Sequence, residues 1–342
     1  MPGISAVAST YDVPNYVGEI FEVSPSDTPL LSAIGGLTGG EQASATYFTW
    51  QGTDLRRGED DRQRLEGADA PSAESRTRFN MYNVVEVHHE SVGVTYTKLA
   101  ATSQVAAVTP RDHGAGLAGA TQPVQDELGH QTTAALKSMA LDIEASFLTG
   151  EFANPADNTA PRRTRGLIQA IEGAADEIPG AEANVIDAQG AAVTEDAVLD
   201  LMQMIWDAGG IREDETRTAI VNSTQKRALT RAMIRERGYQ EMARDVGGVN
   251  LSYIETDFGR LNLMLDRWAP RDMIVVASLD ELAPVFLPIP DRGFLFQEAL
   301  PTSGSTVRTQ LYGEIGLKYG LPIHHGLIKG LPTGAGAETP GG

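Results

Sequence analysis

Apolar residues recur along the chain at two spacings, one typical of helices and the other typical of strands. The longest helical pattern lies in "TQPVQDELGHQTTAALKSMALDIEASFLTG", where large apolar residues return at three- and four-residue steps on one face. The members of this stripe are Val124, Leu128, Leu136, Met139, Ile143 and Phe147, with Thr132 filling the gap. Because Pro123 suits a first turn and Gly150 suits a helix end, the pattern predicts one helix over residues 122–149, about 42 Å long.

Two stretches rich in β-branched and aromatic residues, "ATYFTW" and "NMYNVVEVHHESVGVTYT", predict strands on either side of a charged connection. In the second stretch Val84 shares one parity with Glu86 and His88, so the stretch does not fit a simple one-sided amphipathic strand. The connection, within Thr49 to Asn80, interleaves charges of both signs. Together these parts predict a long two-stranded projection. A lone hairpin is marginal in water, and a neighbouring subunit of an assembly is one source of the support it needs.

A short helical pattern, "SPSDTPLLSAIGG", precedes these strands. Asp27 or Thr28 can cap this helix, and Gly35 and Gly36 can end it. A helix this short does not stand alone, so we expect it to dock on another surface. The predicted docking residues are Pro29, Leu30, Leu31 and Ile34.

From about Gly166 onward, helical and strand patterns alternate as in an α/β domain. The stretch "TEDAVLDLMQMIWDAGG" predicts a helix that is capped by Thr194. Its predicted buried face comprises Val198, Leu201, Met202, Ile205 and Trp206. "RTAIVNS" predicts a buried strand leading into the helix "STQKRALTRAMIRER", and "NLSYIET", "RLNLMLDR" and "DMIVVAS" predict further strands, the first two joined by "DFG".

Composition excludes several classes of protein. The 342-residue chain has no cysteine, which excludes disulfides and Cys-ligated zinc or iron–sulfur sites. The amino-terminal residues lack a basic region followed by an apolar core, and no run approaches membrane-spanning length, so we expect a soluble intracellular chain. The formal net charge of -19 opposes nonspecific binding to DNA, RNA or anionic membranes, because such binding uses Lys and Arg to displace counterions from phosphates.

Two motifs resemble ligand sites, but neither has a second supporting feature. "GAGLAG", from Gly114 to Gly119, fits the dinucleotide-binding pattern, yet the residues before it make a poor strand, so we interpret it as linker. His88, His89 and Glu90 are metal-ligating residue types. Only His88 and Glu90 can share one face of a strand, and no third ligand is evident, so we interpret all three as surface residues.

Three further motifs have structural interpretations. His324 and His325 lie among apolar residues, which favours structural over catalytic histidines. "DFG" at Asp257 lacks the other kinase signatures and is interpreted as a hairpin turn. "NST" at Asn222 matches a glycosylation acceptor, but without a secretory signal it is interpreted as a strand end and helix cap. We therefore predict no catalytic residue, no cofactor and no metal site.

The order of these parts resembles the major capsid proteins of tailed bacteriophages, which have the Hong Kong 97-like fold. The resemblance covers nearly the whole chain and implies an α+β subunit. Its most specific pieces are "SPSDTPLLSAIGG" (Ser24 to Gly36), "WQGTDL" (Trp50 to Leu55), "DIEASFLTG" (Asp142 to Gly150) and "YGEIGLKYGLPIHHGLIKGL" (Tyr312 to Leu331).

The resemblance implies a division of the chain into the domains of that fold. Residues 1–45 would be the N-arm, residues 46–97 the extended E-loop hairpin with its flanking strands, and residues 98–165 the P-domain with its spine helix over about 122–149. Residues 166–304 would form the α/β A-domain, residues 305–330 the return strands of the P-domain sheet, and residues 331–342, "PTGAGAETPGG" included, a disordered tail.

The resemblance also gives the charged connection a role, because an E-loop lies across a neighbouring subunit and needs complementary charge for register. The expected intersubunit contacts are Asp54, Arg56, Arg57, Glu59, Asp60, Asp61, Arg62, Arg64 and Glu66. A solvated flexible loop is the alternative interpretation of the same charges.

By the same resemblance, copies of the chain would assemble in the host cytoplasm into the hexamers and pentamers of an icosahedral virion head. The head would enclose double-stranded DNA without sequence-specific binding, and its other partners would be portal, scaffolding and decoration proteins. The subunit would need no cofactor and would not be an enzyme. Two alternatives stay open: an encapsulin-like compartment shell, and, from another class, a soluble α/β enzyme of unknown chemistry.

Two expectations concern the making of the shell. Some relatives carry a long helical scaffolding segment ahead of the arm, and none is visible here, so we expect a separate scaffolding protein or self-scaffolding. In the family's type member, a loop lysine forms an isopeptide bond with an asparagine of a neighbouring subunit. The stretch from Asp54 to Asn80 contains no lysine, so we expect a shell held by noncovalent contacts.

Overall fold

The computed structural model describes residues 27–53, 63–70, 72, 75–76, 78–99, 127–211, 217–236, 252–301 and 304–333. The chain forms two compact units. The described parts of Asp27–His88, Ala140–Phe296 and Gly313–Gly342 form the larger unit, and those of His89–Met139 and Gln297–Tyr312 form the smaller one. The "GAGLAG" motif, the segment 122–126 of the predicted spine helix and most of the predicted tail lie outside the described residues.

Helices and strands are both abundant, as the α+β prediction requires. The helices are α1 (Pro29–Ala33), α2 (Glu127–Thr149), α3 (Leu167–Glu172), α4 (Ala174–Glu177), α5 (Glu195–Asp207) and α6 (Ser223–Glu236). The strands are β1 (Glu41–Gln42), β2 (Tyr47–Thr53), β3 (Arg78–Val84), β4 (Glu86–Thr95), β5 (Val185–Asp187), β6 (Arg217–Val221), β7 (Tyr253–Thr256), β8 (Gly259–Leu265), β9 (Ile274–Ala277), β10 (Ala283–Phe286), β11 (Leu295–Leu300), β12 (Thr306–Lys318) and β13 (Gly326–Lys329). Short 3-10 turns cover Leu279–Glu281 and Pro322–His324.

The larger unit contains a six-stranded mixed sheet in the order β5-β13-β9-β6-β8-β7. The central strands β6 and β9 are buried at every position, which explains their unbroken apolar character. Strands β7 and β8 pair antiparallel across the turn at Asp257 and Phe258, so the hairpin interpretation of "DFG" is confirmed.

Helices α5 and α6 contribute to the same hydrophobic core as this sheet. The core includes Val198, Leu201, Met202, Ile205, Ala219, Val221, Leu229, Met233, Leu261, Ile274, Val276 and Ile328. The Thr194 side chain accepts the Ala197 N–H at 3.1 Å, as the predicted cap requires. The prediction that Trp206 belongs to the buried face is wrong, because its side chain is 53% exposed. Trp206 lies one residue beyond Ile205, and this 100° rotation carries it off the buried stripe.

A five-stranded sheet has the order β1-β10-β12-β11, and β4 also pairs with β12. Within the larger unit, β1 runs parallel to β10 and β10 runs antiparallel to β12. The stretch "NMYNVVEVHHESVGVTYT" was predicted as one strand, but it forms two, β3 and β4, which separate at Val85. The two strands join different sheets, which explains why their combined sequence shows no single alternation.

The segment 305–330, predicted as return strands of one sheet, is divided between two sheets. Strand β12 lies in the five-stranded sheet, whereas β13 pairs with β5 and β9 in the six-stranded sheet. The turn at Gly320, whose positive φ of 60° favours glycine, precedes the 3-10 turn that redirects the chain between them. The domain boundaries inferred from the family resemblance remain predictions.

Candidate assembly interface

Strands β2 and β3 form a two-stranded hairpin of their own at the base of the charged connection. Their register runs over seven pairs, from Tyr47 opposite Val84 to Thr53 opposite Arg78. The stacked rings of Tyr47 and Tyr82, 5.6 Å apart, add a cross-strand contact near one end of the hairpin. The connection leaves the hairpin at the opposite end, after Thr53.

The charged connection is exposed wherever the structure describes it. Arg64 and Glu66 are both exposed, and Leu65 between them is 86% exposed. The other predicted contact residues of the connection lie outside the described residues: Asp54, Arg56, Arg57, Glu59, Asp60, Asp61 and Arg62. The intersubunit role of all nine remains a prediction.

The hairpin base is fixed to the larger unit by Trp50. Its indole N–H donates a hydrogen bond to the Gly320 carbonyl at 2.7 Å. The same ring lies edge-on to Tyr319, with 4.8 Å between ring centroids. Trp50 therefore joins β2 to the turn that follows β12, and the hairpin has support within its own subunit.

A buried ion pair lies beneath this anchor. Arg165 pairs with Glu177, and the Tyr319 hydroxyl donates to Glu177 Oε1 at 2.6 Å. The Arg165 guanidinium also lies over the rings of Tyr82 and Phe152, at 4.8 and 4.9 Å from their centroids. Burial raises the pKa of Tyr319 well above its usual range, so the hydroxyl stays protonated. This cluster makes the support under the hairpin a fixed polar network.

The short helix α1 is seated on the long helix α2 by one carboxylate. Glu144 accepts backbone N–H groups of α1 through both of its oxygens, at 2.6 and 2.8 Å. Leu30, Leu31 and Ile34 are buried within this subunit, and Pro29 is partly buried. Thr28 at the N-cap makes no side-chain capping bond, so Glu144 satisfies donors that would otherwise lack a partner. The role of these four residues in seating an intersubunit arm remains a prediction.

Glu144 is an unusual acid in this position. Its side chain is buried, and burial together with the nearby charge of Asp266 raises its pKa to about 7, although the two backbone hydrogen bonds act to lower the pKa. Burial also raises the pKa of Asp266, and the charge of Asp27 adds to that rise. The site that holds α1 therefore contains two buried acids, Glu144 and Asp266, and the charge of Asp266 influences the pKa of Glu144.

A second buried carboxylate lies where β4 begins. Glu86 pairs with His88 at 3.0 Å and accepts the Thr164 N–H at 3.1 Å. Burial acts to raise the pKa of Glu86, but hydrogen bonds from His88, Ser146 and Thr164 outweigh it and hold that pKa below its usual range. The interpretation of His88 as a plain surface residue is wrong, because its side chain is only 10% exposed and its Nε2 atom lies 3.0 Å from the Glu86 carboxylate. His89 is exposed and Glu90 is partly buried.

The two late histidines are structural. The His325 ring is fully buried, its Nδ1 atom accepts the Ser278 N–H at 3.2 Å, and its Nε2–H donates to the Tyr319 carbonyl, with 2.8 Å between Nε2 and the oxygen. Burial lowers the pKa of His325 to about 4, so the ring is neutral. His324 pairs with Glu281 at 2.7 Å.

Asn222 also has the structural role predicted from "NST". It directly precedes α6, and its Oδ1 atom accepts the Thr224 N–H at 3.3 Å. Its amide donates to the carbonyl of Ala269 at 3.1 Å. The residue therefore ends β6 and caps α6, which confirms that interpretation.

The described residues contain neither a candidate metal site nor a candidate membrane span. No group of three or more His, Asp or Glu side chains in those ranges is placed to hold a metal ion. None of the helices there is both long and apolar enough to cross a membrane.

Sequence reasoning missed Glu144, Arg165 and Glu177, which carry the internal support of the arm helix and the hairpin. The signal for Glu144 was available, since Glu144 lies beside Ile143 in the apolar stripe, between the buried residues Met139 and Phe147. Arg165 and Glu177 gave no such signal, because each is charged and lies in a stretch without clear periodicity.

Known structures with the same fold cover almost the whole chain. A chain of the cyanophage A-1(L) capsid is 12% identical, with a TM-score of 0.65 over 95% of this chain and 99% of that one. A chain from the capsid of a native GTA particle is 14% identical, with a TM-score of 0.60 over 95% and 97%. The holo-SrpI encapsulin complex from Synechococcus elongatus is 10% identical, with a TM-score of 0.53 over 96% and 94%. At these identities the matches show the Hong Kong 97-like fold.

The amino-acid sequence shows which protein family the chain belongs to. No curated protein matches this chain. The family profile described as "SU10 major capsid protein" matches residues 3–332, which is nearly the full length. This match identifies the chain as a member of the SU10 major capsid protein family.

Proposed function

We propose that each copy of this major capsid protein clasps its neighbour with the β2–β3 hairpin, and that the resulting shell encloses double-stranded DNA. Membership of the family makes the chain a structural, non-enzymatic component of the virion, which self-assembles into the icosahedral head of a phage. The clasp, the cargo and the partners of the shell are the proposed part.

One observation carries the clasp: a hairpin with a fixed base bears an exposed, charged end. Trp50 holds the base to Gly320, while Arg64, Leu65 and Glu66 are exposed beyond it. A leucine that is 86% exposed between two charged residues is suited to burial against a second surface. The interleaved signs of the connection suit a partner surface of complementary charge, which fixes the register of the contact.

The energetics of such a clasp suit assembly into a closed shell. Each exposed ion pair contributes about 0.2–1 kcal/mol, so a single contact is weak and reversible. Repetition of the contact around a closed shell makes the whole strong while incorrect contacts can still dissociate.

The N-arm is proposed to begin its path to a neighbour at helix α1. The seat formed by Leu30, Leu31 and Glu144 would give the arm a fixed starting point on its own subunit. Pro29 and Ile34 complete the apolar face of that seat.

DNA is proposed as enclosed cargo and not as a tightly bound ligand, because a chain with a net charge of -19 repels phosphate. Sequence-specific contacts with the DNA are not part of the proposal. A closed head filled with DNA needs an entry point and a guide for assembly, so portal, scaffolding and decoration proteins are the proposed partners.

The clasp is tested by reversing its cations. The variant Arg56→Glu, Arg57→Glu, Arg62→Glu, Arg64→Glu should give a folded subunit that fails to form shells, because like charges would meet across the contact. The matched control changes the same four residues to Lys, which retains the charge and should still assemble. Circular dichroism reports folding, and sedimentation velocity with electron microscopy reports shells. Shells of normal size from the Glu variant would show that the loop is not a charge-guided clasp.

A further inference from the structure

Helix α5 presents an acidic outer face with one large aromatic residue. Asp196, Asp200 and Asp207 are exposed along it, at spacings of four and seven residues that place them on one side. Glu195 adds a fourth acid, and the helix carries no Lys or Arg. Trp206 lies beside this stripe, 53% exposed, with its ring 6.3 Å from that of Phe258.

Helix α6 has the opposite charge. Lys226, Arg227 and Arg231 lie along it, and Arg227 and Arg231 are exposed four residues apart on one side. No Asp or Glu precedes Glu236 in this helix. In a chain with a net charge of -19, a basic helix next in sequence order to a wholly acidic one is a marked asymmetry.

We propose that these two faces are the complementary halves of a contact between copies of this chain, in which the α5 face of one copy meets the α6 face of the next. Here the α5 face means Asp196, Asp200, Asp207 and Trp206, and the α6 face means Lys226, Arg227 and Arg231. The contact lies in the α/β part of the subunit and is separate from the hairpin clasp.

The partner is a second copy for two reasons. The protein assembles with itself into a shell, so a second copy is always present at high local concentration. A contact of α5 with α5 would place acids against acids, and a contact of α6 with α6 would place cations against cations. A contact of α5 with α6 is complementary, and when such contacts are arranged head to tail their repetition generates a ring.

Trp206 supplies an apolar anchor at the C-terminal end of the acidic stripe, next to Asp207. Interfaces concentrate their binding energy in Trp, Tyr and Arg residues, and a half-exposed indole beside a carboxylate can receive an arginine from the facing helix. A role in this contact also explains why the apolar pattern of α5 includes a residue that the subunit core does not bury.

The test uses two full-length variants with opposite defects. The first variant carries Asp196→Lys, Asp200→Lys and Asp207→Lys, so its α5 face is basic and would meet the native, basic α6 face of the next copy. In the second, Lys226→Glu, Arg227→Glu and Arg231→Glu make α6 acidic against a native, acidic α5. Each variant alone should remain folded, but the subunit concentration required for assembly should rise by roughly tenfold or more.

Mixing the two variants in equal amounts should restore co-assembly, because alternating copies then meet with opposite charges at every contact. Alternation closes a ring that has an even number of subunits, whereas a five-membered ring retains one like-charge contact. Six-membered rings and sheets of them are therefore the expected mixed product in electron microscopy. Pairing of α5 with α6 inside one subunit would predict no rescue by mixing, and that result would overturn the proposal.

Further variants distinguish loss of this contact from a general effect of net charge and from an effect on DNA binding. Asp176→Lys with Glu182→Lys changes two exposed acids away from α5 and should leave assembly unchanged. Trp206→Ser should weaken assembly by roughly tenfold or more, while Tyr253→Ser, at a similarly exposed ring, should not. Normal shells from the α6 variant with only their DNA content reduced would assign the basic helix to nucleic acid and overturn the proposal.

Discussion

The Glu144 carboxylate accepts the backbone N–H of Leu31 at 2.6 Å, although 113 residues separate them in sequence. The second oxygen accepts the Leu30 N–H at 2.8 Å, so one side chain of the long helix α2 holds the first turn of α1. The acid that makes this contact is buried next to a second acid, Asp266, and its pKa is raised to about 7. The seat of the arm helix is therefore sensitive to pH near neutrality.

Glu144 should make the subunit more stable in mild acid than in mild base. Its pKa is 4.5 in the unfolded chain and about 7 in the fold, so its stabilising contribution is fully present below pH 4.5 and is lost as the pH rises through 7. Between pH 5 and pH 8 this corresponds to roughly 3 kcal/mol of unfolding free energy. Because His325 titrates in the opposite direction over part of this range, the change is measured by urea unfolding of the unassembled full-length subunit and of its Glu144→Gln variant at both pH values, as the difference between the two proteins.

Glu144→Gln should flatten this part of the pH dependence, since an amide does not titrate. Gln has one acceptor oxygen where Glu has two, so the variant should also be less stable at pH 5 by about 0.5–1.5 kcal/mol for the lost hydrogen bond. An unchanged difference between pH 5 and pH 8 in the Gln variant would show that Glu144 is not the titrating group.

His325 should act in the opposite direction. Its pKa is lowered from 6.5 to about 4 by burial, so its stabilising contribution is present above pH 6.5 and is lost as the pH falls toward 4. His325→Gln keeps a donor and an acceptor for Tyr319 and Ser278 and should reduce the loss of unfolding free energy between pH 7 and pH 4 by roughly 3 kcal/mol. The control His130→Gln changes an exposed histidine and should retain the full acid sensitivity. The same acid sensitivity in both variants would contradict this assignment.

Removing one partner of the buried Arg165–Glu177 pair should lower the unfolding free energy more than removing both partners. Arg165→Met leaves the Glu177 carboxylate, whose side chain is 1% exposed, without its cation, and should lower the unfolding free energy by about 3–5 kcal/mol. The double variant Arg165→Met, Glu177→Leu removes both charges and should recover a large part of that loss. A double variant as unstable as the single one would contradict this prediction, because the loss of stability would then not come from an unpaired buried carboxylate.

Periodicity predicted much of this fold because the core repeats regularly. The stripe of α2, the buried strand β6, the "DFG" hairpin and the Thr194 cap all depend on neighbours within a few residues, so the local sequence specifies them. The same reasoning failed at Trp206, where an apolar residue at the edge of a stripe is exposed. It failed again at Val85, where one apolar run serves two sheets.

The support of the hairpin and the arm could not be predicted, because it depends on long-range pairs of polar groups. Glu144 and Leu30 are 114 residues apart, and Trp50 and Gly320 are 270 residues apart. A charged side chain in a sequence is interpreted as exposed unless its partner is known, and no single-sequence pattern supplies that partner. The charged connection itself was found from sequence, but its contacts require a second subunit.

Gly316 should be required for packing of β12 against the strand carrying Val84. A Cβ atom at Gly316 would lie 2.7 Å from the Val84 carbonyl oxygen and 3.0 Å from the Phe48 ring, too close for either to remain in place. Gly316→Ala should therefore lower the unfolding free energy by about 1–3 kcal/mol. Gly313→Ala, three residues earlier in the same strand, meets the flexible end of Leu295 first, at 3.0 Å, and should cost clearly less. Equal losses in the two variants, measured by urea unfolding, would contradict the steric explanation.

The mature shell should be free of covalent links between subunits. The five lysines of the chain are Lys98, Lys137, Lys226, Lys318 and Lys329, and none lies between Asp54 and Asn80. Arginine cannot replace lysine as the nucleophile, because its guanidinium stays protonated. Disulfides are excluded because the chain has no cysteine.

Lys98 is the lysine nearest the hairpin in sequence, and its amine is already engaged. It forms an ion pair with Glu127, whose pKa is held below its usual range by the hydrogen bond from Lys98. An amine held in an ion pair is a poor nucleophile, so Lys98 should not form an isopeptide bond. Boiled shells should therefore run on a denaturing gel as one band at the 36.5 kDa monomer. A ladder of higher species that persists in wild-type shells and disappears in Lys98→Arg shells would identify Lys98 as a cross-linking residue and contradict the prediction.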